Sequence, residues 1–360
     1  MLERKKTRLI NIGSIPVGGN SPISVQSMTT IKTEKTDDVL AQINKLTDVG
    51  CDIVRLAIRD LADADAIAVL KNKTATPLVA DIHFDYRLAL AVLKNGIDAL
   101  RLNPGNIKEK DQVATVVKEA KQRKVPIRIG VNAGSLDEAM ILKYSPEGQI
   151  TPEAMVESAL GHIKILEELD FHDIKISLKA HEVPLTLKAY RLMSERVDYP
   201  LHLGITEAGT LKSGLIKSAV GIGALLSEGI GDTIRVSLTT DPVEEVKVAN
   251  QILKSLNLRT YGPTLISCPT CGRCRINLFD IAAKVEERLE SIKEPINVAV
   301  MGCEVNGPGE AREADVGIAG GLGQGLLFRK GQIIKKVPEN ELIDSLFSEI
   351  ENFLREKKNK

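Results

Sequence analysis

The chain has 360 residues, 43% of them apolar, with 48 basic against 48 acidic side chains. That is enough for two domains, or one large domain with an appendage, around a full-sized core. Balanced charge with no long basic stretch excludes nucleic acid as the main partner, because phosphate-backbone binding needs a clustered positive surface.

No apolar run reaches the ~18 residues of a membrane span. MLERKKTRLINIG is charged but lacks the apolar stretch of a secretory signal. Five cysteines, one of them isolated at Cys51, do not form a secreted disulfide framework. The expectation is a soluble, cytoplasmic protein whose thiols are reduced and available to metal.

In chain order, short apolar runs alternate with amphipathic segments. The runs are ISVQSM (23–28), IVRLAI (53–58), LVADIHF (78–84), ALRLNPG (99–105), IRIGVN (127–132), IKISLKA (174–180), LHLGITEA (201–208) and TIRVSL (233–238). Between them lie helical patterns such as 39–50, 88–96, 113–124, 152–169 and 215–228. Strand followed by helix, repeated in this way, predicts an α/β fold, a (β/α)8 TIM barrel, rather than an open doubly wound sheet.

Successive side chains on a strand face opposite ways. One parity of each run is apolar and suits the helix-covered outside. The other carries Ser24 and Gln26, Arg55, Asp81 and His83, Arg101 and Asn103, Arg128 and Asn132, Lys175, Ser177 and Lys179, His202 and Thr206, then Arg235 and Ser237, with Glu207 just after Thr206. Any one of these alone reads as a satisfied core polar group. Repeated around a barrel, they read as a site. Asp81 and Glu207 cannot neutralise Arg55, Arg101, Arg128, Lys179 and Arg235, and an unpaired buried charge costs several kcal/mol. The missing negative charge fits a ligand with two phosphates or a diphosphate, which guanidinium forks bind bidentately. Barrel sites lie at the C-terminal ends of the strands, where most of these residues fall.

After Ser237 a helix at 242–256 closes the barrel, and 257–262 reads as a linker. A smaller α/β domain follows, with a cysteine loop, a helix at 278–291 and a strand at 296–301. A second cysteine loop, a strand at 315–319, a glycine-rich turn at 320–325, a hairpin around 329–331 and a final helix at 339–357 complete it. The expected domains are 1–258 and 259–360. GGLGQG joins two strands instead of opening a helix, so it reads as a turn and not a phosphate loop.

SCPTCGRCRIN places Cys268, Cys271 and Cys274 at C-x2-C-x2-C spacing, and Cys303 follows in MGCEVNGPGEAR. A structural zinc site normally uses two C-x2-C pairs, and the second is absent. A redox C-x-x-C leaves two thiols idle. Buried, unreactive thiols are the bland reading. An iron–sulfur cluster, held by a loop run plus a remote ligand, fits the spacing best. Counting thiols points to Cys274 as fourth ligand. Glu310, beyond a Gly-Pro-Gly turn, otherwise reads as a helix N-terminal acid. Cys51 reads as a small apolar residue at a helix end.

PISVQSMT, VADIHFDYR, RLNPGNI, RIGVNAGSL, LHLGITEAG, GIGDTIRVSL, SCPTCGR and MGCEVNGPGEA together resemble the bacterial 4-hydroxy-3-methylbut-2-enyl diphosphate synthase family, in its two-domain form, from about Thr7 to Leu354. The resemblance implies a (β/α)8 barrel plus a cluster domain. It implies reductive ring opening and dehydration of 2-C-methyl-D-erythritol 2,4-cyclodiphosphate, in non-mevalonate isoprenoid synthesis. Electrons would come singly from flavodoxin or ferredoxin through one 4Fe-4S cluster per chain. Its ligands carry over as Cys268, Cys271, Cys303 and Glu310, which leaves Cys274 outside the set. A homodimer is implied, with the cluster domain of one chain over the barrel of the other. On this reading Arg55, Arg101, Arg128, Lys179 and Arg235, helped by Asn103, Asn132 and Ser237, bind the diphosphate. Asp81, His83, His202 and Glu207 handle protons and hydroxyl contacts, and Glu310 is the exchangeable ligand on a catalytic iron. The competing readings are a non-redox barrel synthase of the pterin-ligase type with a structural zinc domain, and a zinc-ribbon binding module.

Overall fold

The computed structural model describes residues 3–107, 109–304 and 312–358, and it divides into two compact units, 1–259 and 260–360. The chain opens with a hairpin that the periodicity of the sequence did not reveal, β1 (Ile10–Ile12) paired antiparallel with β2 (Ile15–Val17). Its apolar face, Ile10, Ile12 and Val17, packs on Ile53, Val79 and Ala99. These belong to the first turns of three barrel strands, so the hairpin caps that part of the barrel's N-terminal end. At the hairpin turn, a Cβ on Gly13 (φ +55°) would stand 2.9 Å from Asp98 Oδ1.

The barrel strands are β3 (Ser24–Met28), β4 (Ile53–Ala57), β5 (Leu78–Asp81), β6 (Ala99–Arg101), β7 (Ile127–Asn132), β8 (Ile174–Lys179), β9 (His202–Leu203) and β10 (Thr233–Ile234). All pair in parallel in the order β8-β7-β6-β5-β4-β3-β10-β9, and the Ile176–Leu201 bridge closes the ring. The last two strands are shorter than predicted. Pairing beyond them is irregular, carried by single bonds such as Arg235 N to Leu203 O at 2.9 Å.

Outside run α1 (Thr36–Asp48), α2 (Leu61–Lys73), α3 (Tyr86–Lys94), α4 (Lys110–Arg123), the short α5 (Glu138–Tyr144), α6 (Pro152–Glu168), α7 (Val183–Arg196), α8 (Leu211–Ser227) and α9 (Pro242–Ser255). Their starts follow from local chemistry. Asp60, Thr151 and Asp241 accept N-terminal backbone N–H bonds of α2, α6 and α9. Proline at the first positions of α6 and α9 lacks only a donor that has no helical partner there. One continuous apolar core joins the outward strand faces to these helices. No helix among the described residues is long and apolar enough to cross a membrane.

In the second unit β11 (Thr264–Ser267), β12 (Asn297–Met301), β13 (Val316–Gly320), β14 (Gln324–Arg329) and β15 (Gln332–Pro338) form one sheet in chain order. The first two pairings are parallel and the last two antiparallel. Alternation separates the faces. Val298 and Val300 join α10 (Leu278–Leu289) and α11 (Leu342–Lys358) in the main core, while Ala299 and Met301 lie in a smaller cluster with Phe328. The glycine-rich segment is a β13–β14 hairpin turn. Its Gly320 permits close approach, because a Cβ there would stand 2.8 Å from Gly302 O, next to Cys303.

Candidate functional site

The inward parity of the barrel strands gathers the cations. Arg101, Arg128, Lys175 and Lys179 are buried, and Arg55 and Arg235 keep only 12% and 16% of their side-chain surface. Two buried carboxylates face them. Asp81 lies 3.8 Å from Arg55, 3.5 Å from Arg101 and 3.7 Å from His83. Glu245, from α9, lies 3.9 Å from Arg235 and accepts the Leu238 backbone N–H at 2.8 Å. Arg128 donates to Ser177 Oγ at 2.6 Å, while among the described residues its Nε and Nη2 have no hydrogen-bond partner, and neither has Lys175 Nζ or Arg235 Nε. Buried donors of this kind want acceptors.

The charges shape one another. Burial works to raise the Asp81 carboxyl, yet Arg55, His83 and Arg101 outweigh it and hold it well below the usual carboxylate range. Burial, and then Arg55, lowers Arg235 to about 10. Desolvation first, then Arg128, pushes Lys175 and Lys179 well below the ordinary lysine range. His202 is fully enclosed and driven down by burial and by Lys179. Its Nδ1 lies 2.6 Å from Thr233 Oγ1 and its Nε2 3.4 Å from Lys179 Nζ. Burial raises Glu245 against the pull of Arg235.

Positioning is local. Asn103 donates to Gly130 O at 2.9 Å and accepts from Gly130 N at 2.8 Å, which ties the loop after β6 to β7. A Cβ on Gly130 would stand 3.0 Å from Arg101 Nε, and one on Gly204 would stand 2.7 Å from Lys179 Nζ. These two glycines let long cationic side chains lie across the barrel. Behind the loop, the Gly105 N–H donates to His162 Nδ1 on α6 at 3.0 Å.

Of the residues expected from sequence, the barrel brings Arg55, Asp81, Arg101, Asn103, Arg128, Lys179, His202 and Arg235 into this buried cluster. His83 touches its edge and is exposed. Asn132 and Glu207 line a cavity of about 650 Å³ at the C-terminal strand ends, with Ser135, His181, Glu182 and Thr206. Ser237 is half-buried after β10. Glu207 is exposed at φ +52°, so the second internal counter-charge is Glu245 and not Glu207. Sequence parity could not find Glu245, because it comes from a helix. Lys175 showed in the parity pattern but was not chosen. Gly130 and Gly204 carried a usable signal, as glycines inside strand patterns.

The second unit gathers the thiols. Cys268 follows β11 and Cys303 follows β12, two adjacent parallel strands in register through Ser267 and Val300. Cys268, Cys271, Cys274 and Cys303 line one cavity of about 190 Å³ with Pro269, Arg273 and Gly302. Backbone amides turn towards sulfur: Gly302 N donates to Cys268 Sγ at 3.2 Å. The N–H of Arg273, then its side chain and the Cys274 N–H, favour the Cys271 thiolate. Cys274 donates to Ile276 O at 3.3 Å and packs on Gly302, where a Cβ would stand 2.8 Å from its sulfur. Four thiols around one small cavity are the soft donor set an iron–sulfur cluster uses, although among the described residues no three of them are gathered closely enough to hold one metal ion. Glu310 lies outside the described residues. Cys51 is buried in the barrel core beside the end of α1, with its thiol pushed up to about 12 by desolvation.

The fold and its two sites define a two-domain TIM-barrel protein, with a cationic barrel interior and a cysteine-bearing α/β unit. The sequence model of the GcpE TIM-barrel domain matches residues 7–250, and that of the GcpE protein C-terminal domain matches 264–352. The chain is 61% identical over 354 residues to the 4-hydroxy-3-methylbut-2-en-1-yl diphosphate synthase (flavodoxin) of Geobacter sulfurreducens, covering 98% of this chain and 99% of that one. It is 57% identical over 350 residues to the protein of the same name from Clostridium perfringens, covering 97% and 99%. This chain therefore belongs to the family of 4-hydroxy-3-methylbut-2-en-1-yl diphosphate synthases, which are enzymes. Among solved structures, dihydropteroate synthase from Stenotrophomonas maltophilia matches 70% of this chain and 97% of its own, with a TM-score of 0.52 at 13% identity. Type I 3-dehydroquinate dehydratase from Clostridium difficile matches 69% and 98%, with a TM-score of 0.51 at 14% identity. At such identities the likeness concerns the barrel fold alone.

Proposed function

We propose that this chain catalyses the reductive ring opening and dehydration of 2-C-methyl-D-erythritol 2,4-cyclodiphosphate to 4-hydroxy-3-methylbut-2-enyl diphosphate, in cytoplasmic, non-mevalonate isoprenoid synthesis. The observation that carries the reading is the excess of buried cation in the barrel. Arg55, Arg101, Arg128 and Arg235 outnumber Asp81 and Glu245, and N–H groups of Arg128 and Arg235 have no acceptor among the described residues. A diphosphate supplies both the charge and the acceptors. The relatives are named for the synthesis of a diphosphate.

The barrel, 1–258, would hold the substrate and the domain 259–360 the metal. Counted with a dianionic substrate and a trianionic product, the reaction consumes two electrons and one proton and releases water. A 4Fe-4S cluster held by Cys268, Cys271, Cys303 and Glu310 would supply those electrons singly, with the glutamate oxygen as its exchangeable ligand. Flavodoxin, which the relatives' names carry, is the donor this reading adopts, with ferredoxin as the other. The rest falls to the barrel. The guanidinium forks anchor both phosphates, and Asn103 holds the β6 loop against Gly130 so that Arg101 keeps its aim. Asp81 orients Arg55 and Arg101 while remaining ionised. Glu207, exposed in the cavity with Asn132, is the carboxyl placed to meet the hydroxyl groups and to pass a proton to the departing oxygen. His83, in the loop after β5, sits beside Asp81 at the exposed edge of the cationic cluster. Enclosed as it is, His202 serves Lys179 rather than solvent. A homodimer belongs to the same proposal.

Anaerobically purified protein is expected to be brown, to contain iron, and to convert the cyclodiphosphate with reduced flavodoxin. A colourless, zinc-containing protein would instead support the non-redox reading. Within the cysteine loop, Cys274→Ser is expected to keep iron and most activity, and Cys271→Ser to lose both. Iron analysis and electron paramagnetic resonance of the two variants check this, and iron loss from the Cys274 variant would sink the ligand set.

A further inference from the structure

We propose that Lys175 and Lys179 form a proton-accepting pair inside the barrel, uncharged while the site holds no anion and taking up a proton when a highly charged diphosphate is bound. The inference rests on the diphosphate reading of the barrel and adds to it which side chains answer the charge.

Both lysines point inward from one face of β8, with Ser177 between them, and are 2% and 6% exposed. Around Lys179 stand Arg128 of β7, Arg55 of β4, Arg235 after β10 and Glu245 of α9. His202 of β9 lies 3.4 Å from its Nζ. Lys175 faces Arg128, Arg55 and Asp232, and its Nζ has no hydrogen-bond partner among the described residues. Asp232 is engaged elsewhere, by Thr7 at 3.0 Å, Arg4 at 2.9 Å and the Leu201 N–H at 2.9 Å. Guanidinium groups do not give up their proton in proteins. In a cluster so over-supplied with cations, the protons that leave are therefore those of the lysines. Burial, and the charge of Arg128 next, drive both in that direction. His202 is hemmed in by the same cations and is pushed down with the lysines.

Formal counting then closes. Arg55, Arg101, Arg128 and Arg235 against Asp81 and Glu245 leave two positive charges, which match the two negative charges of a cyclic diphosphate. Opening the ring turns one phosphodiester into a monoester and adds a third negative charge. A lysine that collects a proton from solvent at that point restores the balance without any movement of the backbone. The pair is thus a specificity device. It lets one rigid site accept the dianion and then hold the trianion.

The test is calorimetric titration of the full-length holoenzyme at about pH 8, without reductant, in two buffers of different ionisation heat. The cyclodiphosphate has no oxygen that titrates near neutrality. The product's terminal phosphate, with a second pKa of about 6, is already ionised at that pH. Any proton exchanged therefore belongs to the protein. The expected result is uptake of about one proton per site on binding product and distinctly less on binding substrate. Lys175→Met and Lys179→Met should each reduce the uptake, and the double variant should abolish it. Product binding with the same heat in both buffers, or uptake that survives in the double variant, overturns the inference and leaves the diphosphate reading standing. Failure of both ligands to bind overturns that reading and the inference together. If a methionine variant does not fold, Lys175→Arg and Lys179→Arg, whose side chains keep their charge throughout, should likewise remove the uptake, and uptake that survives in the double arginine variant overturns the inference.

Discussion

Asp81 shows how one side chain can serve several. It is the carboxylate within 4 Å of Arg55, Arg101 and His83 together. Removing one partner of a buried ion cluster strands the others, at about 3–5 kcal/mol. Asp81→Asn is therefore expected to lower barrel stability by about that amount, read as a shift of the urea midpoint at unchanged slope. Saturating diphosphate should recover part of the loss, because it supplies the same missing charge. The pH dependence follows from the direction of the shift. The folded value lies below the unperturbed 3.8 of a free aspartate, so the stabilisation is complete above that value and is lost only as pH falls through the folded one. Acid unfolding of the wild type should thus begin late, and Asp81→Asn should remove that tail. Asp81 was legible in the sequence because strand parity put it among the arginines. Its partnership with His83, two residues on, follows from the same alternation.

At the scale of the element, strand glycines govern the site as much as its charges do. On β8 and the segment after β9, Lys179 crosses towards the ring centre only because Gly204 has no side chain: a Cβ would meet Lys179 Nζ at 2.7 Å and Arg235 O at 2.6 Å. Overpacking of this kind costs roughly 1–3 kcal/mol. Gly204→Ala should therefore lower barrel stability by about that amount, read as a drop in the urea midpoint, and displace Lys179 from the ring centre. Titration of the variant with the ring-opened product checks the displacement, and affinity equal to wild type would mean that Lys179 does not contribute. The elements themselves were unequally legible. Helices such as α6 and α9 announce their starts by Thr151-Pro152 and Asp241-Pro242. By contrast, β1, β2 and β11 are three or four residues long, too short for a period to show. The missed β11 matters most, since its end delivers Cys268 beside the Cys303 loop.

For the whole molecule, the two units bury separate cores. The large cluster and the small one under the N-terminal hairpin draw on residues before 260, and two further clusters on residues after it. Separate cores predict separate cooperative transitions. Calorimetry of the full chain should show two, with the cyclodiphosphate raising only the barrel transition by mass action and iron removal lowering only the other. A single transition shifted by both treatments would contradict the separation.

The order of strands and helices, the inward polar parity and the spacing of the thiols are properties of the chain itself. Covalent geometry makes side chains alternate along a strand wherever that strand ends up, so the excess of positive charge could be counted from sequence. Which groups would answer that charge could not. Glu245 reaches the barrel interior from a helix, Gly130 and Gly204 act by leaving space, and Lys175 is buried with no hydrogen-bond partner for its Nζ among the described residues. Those facts depend on which segments the closed barrel brings within a few ångströms of each other. Burial, and with it the strength of every charge in the site, exists only once the ring has closed.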